Sequence, residues 1–350
     1  MNPATRARVL PLLGALALQA QTPFHADGPA LGGSRIFSTG LNPLGSPARV
    51  DLSPSGLHLA YLDGGQEAKD FQKQFNQLAS GLDLASALKG LADSPWALRT
   101  RGYALTQRTE RDLVSLSREE TTSLFATFPP TPAPGSPVVD PVGFQQRRTV
   151  VDRLVLATAT RSQTYTFGAQ FRIERWSHGL RSLALKDATT QDPWSFRDTP
   201  QRTLVTNLDL AAELELMPGL KAGATVDRLL RKRLWDVEEK PQVRAGLQMD
   251  LGTLATLSAE TDLNAAARMP YVLPQRNASA SLTLKANHSI TLVVGAERRK
   301  IGDVSTTRGG ITVWIHPGAT QGTRAPFLIG AGLQIGADKP LRGLSAWGSL

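Results

Sequence analysis

Between residues 242 and 299 apolar and polar side chains alternate with a period of two. In "QVRAGLQMDL", Val243, Ala245, Leu247, Met249 and Leu251 share one side, with Gln242, Arg244, Gln248 and Asp250 on the other. "LATLSAETDL" keeps the parity, setting Ala255, Leu257, Ala259 and Leu263 against Thr256, Ser258, Glu260 and Asp262. Gly252-Thr253 between the two runs predicts a hairpin. A second pair repeats the design around Asn287-His288: Ala278, Ala280, Leu282, Leu284 and Ala286, then Ile290, Leu292, Val294 and Ala296. Ordinary globular strands average roughly 5–6 residues, whereas a tilted strand crossing a bilayer needs about 9–11. These runs have the longer length, which predicts a meander of strands closed into a membrane barrel.

Similar segments occupy most of the chain. Strands are expected near Arg49–Leu52, Gly56–Leu62, Arg101–Thr106, Asp112–Leu116, Val150–Thr160 and Thr164–Arg175. More follow at Leu204–Leu216, from Leu220 after a Pro218-Gly219 turn, and at Thr307–His316, Phe327–Ile335 and Leu341–Trp347. The predicted fold class is therefore all-β, an antiparallel transmembrane β-barrel of about fourteen strands, an even number of the kind bacterial barrels use.

Three stretches break the rule. From Gln66 to Leu91 apolar residues recur at three- and four-residue steps (Phe71, Phe75, Leu78, Leu82, Leu88), predicting a helical insertion over 66–91 that covers a barrel mouth or enters the lumen. "FPPTPAPGSPVVDPVG", residues 128–143, is a proline-rich extended loop, and 176–202, with Trp176 and Trp194, is another. The N-terminus places Arg6 and Arg8 before an apolar run from Val9 to Leu18 and small residues to Ala20. That pattern predicts a signal peptide over 1–20, with a cut after Ala17 as the competing choice, and leaves 21–350 as the barrel.

Composition narrows the chemistry. The 350 residues are 41% hydrophobic and 20% charged, as in a folded chain. A mean hydropathy of -0.18 is incompatible with a helical membrane protein but natural for alternating strands. There is no cysteine, which removes disulfides and thiolate catalysis. The net charge of +9 comes from arginines spread along strand faces, and only Arg228, Arg231, Lys232 and Arg233 cluster, beside Trp235. Such a basic turn could grip single-stranded nucleic acid, but a turn facing phosphate-bearing headgroups or solvent is the favoured reading and nucleic acid is disfavoured as a partner.

Catalytic motifs are missing. His25, His58, His178, His288 and His316 lie in unrelated segments with no HExxH spacing, and no GxSxG elbow, Walker loop or dinucleotide fingerprint occurs. No cofactor or metal is expected. Glu213, Glu215, Glu260 and Asp262 lie on polar strand faces, where paired carboxylates could do acid/base work. The favoured expectation is that they pair with Arg172, Arg244 and Lys285 inside a hydrated barrel.

Ala30-Leu31-Gly32-Gly33 and Asn42-Pro43 resemble the opening motifs of outer-membrane proteins related to the FadL transporters and to TraF-type conjugal-transfer proteins. From Asp209 to Trp347 the chain is similar to the TraF type, through Gly219–Leu230, Lys240–Gly246, Asp262-Leu263-Asn264 and "LVVGAERRK" at 292–300. It departs from barrel habit by ending Trp347-Gly348-Ser349-Leu350. The resemblance implies a non-enzymatic outer-membrane component of a Gram-negative envelope, with membrane lipid, the barrel-assembly machinery, and a hydrophobic small molecule or envelope protein as partners. The alternatives are a FadL-like passive transporter of hydrophobic molecules and a soluble periplasmic β-sandwich binding protein.

Overall fold

The computed structural model describes residues 46–52, 55–63, 96–127, 143–184, 200–266, 274–317, 327–336 and 341–348, apart from 231, 235, 236 and 288, plus residues 73–78, 80, 86, 87 and 89. The predicted signal peptide and nearly all of the proline-rich loop lie outside the described residues.

Among the described residues sixteen strands follow one another: β1 (Gly56–Asp63), β2 (Trp96–Arg108), β3 (Asp112–Thr127), β4 (Gly143–Arg161), β5 (Tyr165–Ala184), β6 (Gln201–Met217), β7 (Leu220–Asp227), β8 (Lys232–Leu234), β9 (Val237–Glu239), β10 (Gln242–Leu251), β11 (Ala255–Asp262), β12 (Gln275–Lys285), β13 (Ile290–Ile301), β14 (Val304–Ile315), β15 (Phe327–Gly336) and β16 (Leu341–Gly348). All but β8 and β9 form one closed antiparallel barrel of fourteen strands, sealed where β1 pairs with both β2 and β16. β8 and β9 make a separate two-stranded ribbon on the connection from β7 to β10.

The alternation decides which side faces out. Leu247, on β10, is 52% exposed and lies opposite Ala222 and Ala259, while its neighbour Gln248 is buried. The same split holds on β3, where Leu116 is exposed and Ser115 and Ser117 are buried, and on β13, where Val294 is exposed and Glu297 and Arg299 are buried. Large apolar side chains thus coat the outside and polar ones fill the inside, the inverse of a soluble sandwich. Two stacked sheets with their oily sides together are not what this chain forms.

Connections differ at the two ends. Short turns at 109–111, 162–164, 218–219, 252–254 and 286–289 join strands at one end. At the other end the connections 64–95, 128–142, 185–200, 228–241 and 263–274 are long, although 302–303 and 337–340 are short links there and the longer 316–326 link lies at the short-turn end. The Pro218-Gly219 turn is the two-residue link expected, with Gly219 at φ +82, a conformation that side-chain-bearing residues rarely adopt. The β10–β11 link has three residues, Gly252 to Leu254, rather than two, and keeps Leu251 opposite Ala255.

Three local expectations change. Arg49–Leu52 is not a strand but part of a 3-10 turn, Pro47–Leu52. The strand expected to end at Arg175 runs to Ala184, so Trp176 is a buried wall residue and the loop begins later. In the helical insertion, residues 73–78 are helical, and Phe75 meets Phe144 edge-on at 5.0 Å. Phe144 shares the outward parity of Leu154 and Leu156 on β4, so this helical piece lies on the outer side of the wall rather than in the lumen.

Because lipid-facing and inner positions alternate, single substitutions should separate the faces. Leu247→Arg is expected to lower folding stability in phospholipid vesicles by about 2–4 kcal/mol, whereas Ser258→Ala on the inner face should cost about 1 kcal/mol or less. Denaturant titration of tryptophan fluorescence in vesicles checks this, and equal losses would contradict the assignment of faces.

Candidate functional site in the barrel lumen

The inner face carries a buried belt of ion pairs built from alternate positions of successive strands. Arg153 on β4 donates from Nη1 to Glu119 Oε2 of β3 at 2.8 Å and from Nε to Glu174 Oε1 of β5 at 3.0 Å. Arg172, two residues from Glu174 and so on the same face, donates to Glu174 Oε1 at 3.0 Å and to Asp209 Oδ1 of β6 at 2.8 Å. Asp209 also accepts from Gln170 Nε2 and from the backbone N–H of Arg228. Asp227, at the end of β7, lies within electrostatic reach of both Arg172 and Arg244. Arg244 in turn donates to Asp262 Oδ1 at 2.7 Å, and the other oxygen of Asp262 accepts the backbone N–H of Asn277 on β12. The belt therefore passes from β3 to β12.

Its members are shielded from water: side chains of Arg153, Glu174, Asp209, Arg244 and Asp262 are 5%, 3%, 1%, 3% and 0% exposed. Charges this dry survive only when mutually paired, because one left alone would meet the full desolvation penalty. Arg153 also stands 6.0 Å from the Trp176 ring centroid, and Trp176 Nε1 donates to Glu174 Oε2 at 3.1 Å.

Apolar patches border the belt on both sides. Val151, Trp176 and Val205 form a buried cluster toward the long-loop end. Ala60, Ala104, Leu113, Val155, Ala157 and Ala159 form another toward the short turns. There the 3-10 turn is pressed against the inner wall. A Cβ on Gly168 would overlap the Pro47 carbonyl and the Ala48 nitrogen, so the close approach requires glycine at that position of β5. Arg49, from the same turn, donates to Glu213 from Nε at 2.6 Å and from Nη2 at 3.2 Å, and reaches Gln248 on β10 at 2.8 Å. One side chain thus ties the N-terminal segment to β6 and β10.

All seven expected lumenal residues have inward parity. Arg172, Arg244, Glu260 and Asp262 belong to the belt, Glu260 through a 3.7 Å approach to Arg244. Glu213 holds the turn, and Glu215 and Lys285 are exposed near the short turns. Of the basic cluster, Arg231 lies outside the described residues, and Lys232 and Arg233 form a strand, opposite Glu239 and Glu238, rather than a turn. Arg228 stands at φ 60 beside Asp209. Glu119, Arg153, Glu174, Asp209 and Arg49 were not singled out from sequence. Glu174 and Asp209 were legible as polar-face residues but not as belt members, whereas Glu119, between Arg118 and Glu120, sits where both faces of the strand are polar and alternation is invisible.

A closed barrel with an apolar exterior, a charged inner belt and an inserted N-terminal turn defines an outer-membrane-type β-barrel. Among solved structures it is similar to the CymD monoaromatic hydrocarbon channel (TM-score 0.59, 8% identity, covering 94% of this chain and 97% of that one). It is also similar to the Pseudomonas putida toluene transporter TodX (0.54, 11%, 94% and 98%) and to a Pseudomonas aeruginosa FadL homologue (0.51, 10%, 93% and 98%). No family model and no curated protein matches the sequence. At such identities the likeness shows the fold alone: it is the fold of FadL-type structures, and nothing in it supports the TraF-type identity. None of the three is a conjugal-transfer protein.

Arg153→Met would leave Glu119 and Glu174 buried beside an apolar chain and is expected to cost about 3–5 kcal/mol. Arg153→Lys should recover only part of this, since one ammonium cannot reproduce the two-sided guanidinium geometry. Unfolding midpoints of the two variants check the order, and a fully stable Arg153→Met barrel would contradict it.

Proposed function

We propose that the protein is a non-enzymatic outer-membrane channel of the FadL type that passes small hydrophobic molecules. The observation that carries this reading is the pair of apolar patches on the inner wall, around Trp176 and around Val155, on either side of a dry ion-paired belt. An apolar solute gains by leaving water for such patches, at roughly 25 cal/mol per Å² of its buried surface. Ions gain nothing comparable. In this reading the Pro47–Leu52 turn, held by Arg49 and Glu213, obstructs the short-turn end and must shift for passage. The hydrocarbon and toluene cargoes named for the similar structures support small aromatic molecules as the first cargo to test.

Three measurements test the proposal. Fractionation should leave the chain in carbonate-resistant membranes and release it with detergent; recovery as a soluble periplasmic protein would end the membrane reading. Cells expressing it should take up labelled toluene faster than empty-vector cells, and Trp176→Arg should remove most of that gain. Uptake equal to the empty vector, with the protein folded in the membrane, would refute transport. Gly168→Val should dislodge the turn and raise single-channel conductance in planar bilayers relative to the parent; unchanged conductance would show that the turn is not the obstruction.

A further inference from the structure

The outer wall changes character toward the long-loop end. On β2 to β5 the outward positions pass from Tyr103, Leu116 and Leu156 to arginines: Arg101, Arg118, Arg148 and Arg175, joined by Arg202 at the start of β6. Two outward carboxylates accompany these five. Glu120 pairs with Arg101 and Arg148, each at 2.8 Å, and Asp152 pairs with Arg175 at 2.8 Å and stands 3.7 Å from Arg118. Among the described residues Arg202 has no carboxylate partner. Arg118, Arg148, Asp152, Arg175, Ser177 and Arg202 line an open recess of about 250 Å³ on this wall. Further round the barrel, at the same end and on the same outward side, Arg276 lies directly opposite Lys300, with Arg298 two residues away.

We propose that this band binds the phosphate groups of an anionic lipid headgroup in the surrounding leaflet, with the recess of Arg118, Arg148, Arg175 and Arg202 as its principal seat. The geometry suits that ligand. Guanidinium forks match phosphate oxygens in pairs, and the unbalanced cations sit just above the apolar surface that the acyl chains of the same molecule would cover. A soluble anion would use only half of this surface. The long-loop end is the outward end in bacterial barrels, so the lipid is one of the outer leaflet, where a phosphorylated glycolipid has the required charge. The inference rests on the membrane placement proposed above, but not on transport.

The test uses the purified full-length barrel in non-ionic detergent and native mass spectrometry with a bis-phosphorylated, acylated glucosamine disaccharide. Phosphatidylcholine and inorganic phosphate serve as comparisons. The glycolipid should be retained and phosphatidylcholine should not. Arg202→Gln, which breaks no ion pair among the described residues, should weaken retention about fivefold, and replacing all four recess arginines by Gln should weaken it by about a hundredfold or more. Arg202→Lys should keep most of the affinity. Equal retention by the parent and Arg202→Gln, both with unheated-gel mobility of a folded barrel, would overturn the proposal. Displacement by millimolar inorganic phosphate would overturn the lipid assignment in favour of a small-anion site.

Discussion

The constraint on which everything else depends is the pairing of β1 with β16. A sheet edge facing hydrocarbon would leave backbone N–H and C=O groups without partners, at several kcal/mol each, so a strand-built membrane protein must close. Here the closing register runs from Leu57 opposite Gly348 to Asp63 opposite Arg342, and no barrel strand is left with a free edge. Once the cylinder is closed, period-two alternation must divide the side chains between lipid and lumen. The apolar coat around Leu247 and the belt around Arg172 are two consequences of one geometry.

Inside, the same geometry makes a polar wall expensive unless it pairs with itself. Arg153, Arg172 and Arg244 each pair with a carboxylate on a neighbouring strand, which satisfies them while cross-linking the wall. The N-terminal turn uses the same device, with Arg49 joining a glycine-permitted backbone contact at Gly168 to Glu213 and Gln248. The lumen is narrowed by interactions that can be broken one at a time, as the proposed passage of apolar cargo would need. The long strands β4 and β5, at 19 and 20 residues, extend to roughly 60 Å and project well beyond a bilayer core, lifting the outward arginines to headgroup height.

Most of the architecture was legible in the sequence because β10 to β13 alternate cleanly. What escaped did so for physical reasons. β3 was expected to stop at Leu116, since beyond it Arg118, Glu119 and Glu120 make both faces polar and erase the period. Trp176 read as part of a loop because the charged residues around it are those of a projecting strand. The 3-10 turn read as a strand: "PARVDL" has alternating character, and its shape is fixed by contacts more than a hundred residues away, at Gly168, Glu213 and Gln248. Likewise, lumenal candidates could be assigned to a face, but not partners, since pairs such as Arg172 and Asp209 are set by register between strands.

The oily faces of these strands look outward, where acyl chains would cover them. The chain has no cysteine, so single cysteines report cleanly. An environment-sensitive fluorophore placed at Leu257→Cys, an outward position, and at Thr225→Cys, a buried inner one, can be challenged in vesicles with nitroxide spin labels carried on lipid tails. Outward-facing oily strand faces predict strong quenching at position 257 and little at 225. Comparable quenching at both, or protection at 257, would mean that the faces are reversed or that the barrel does not span the bilayer.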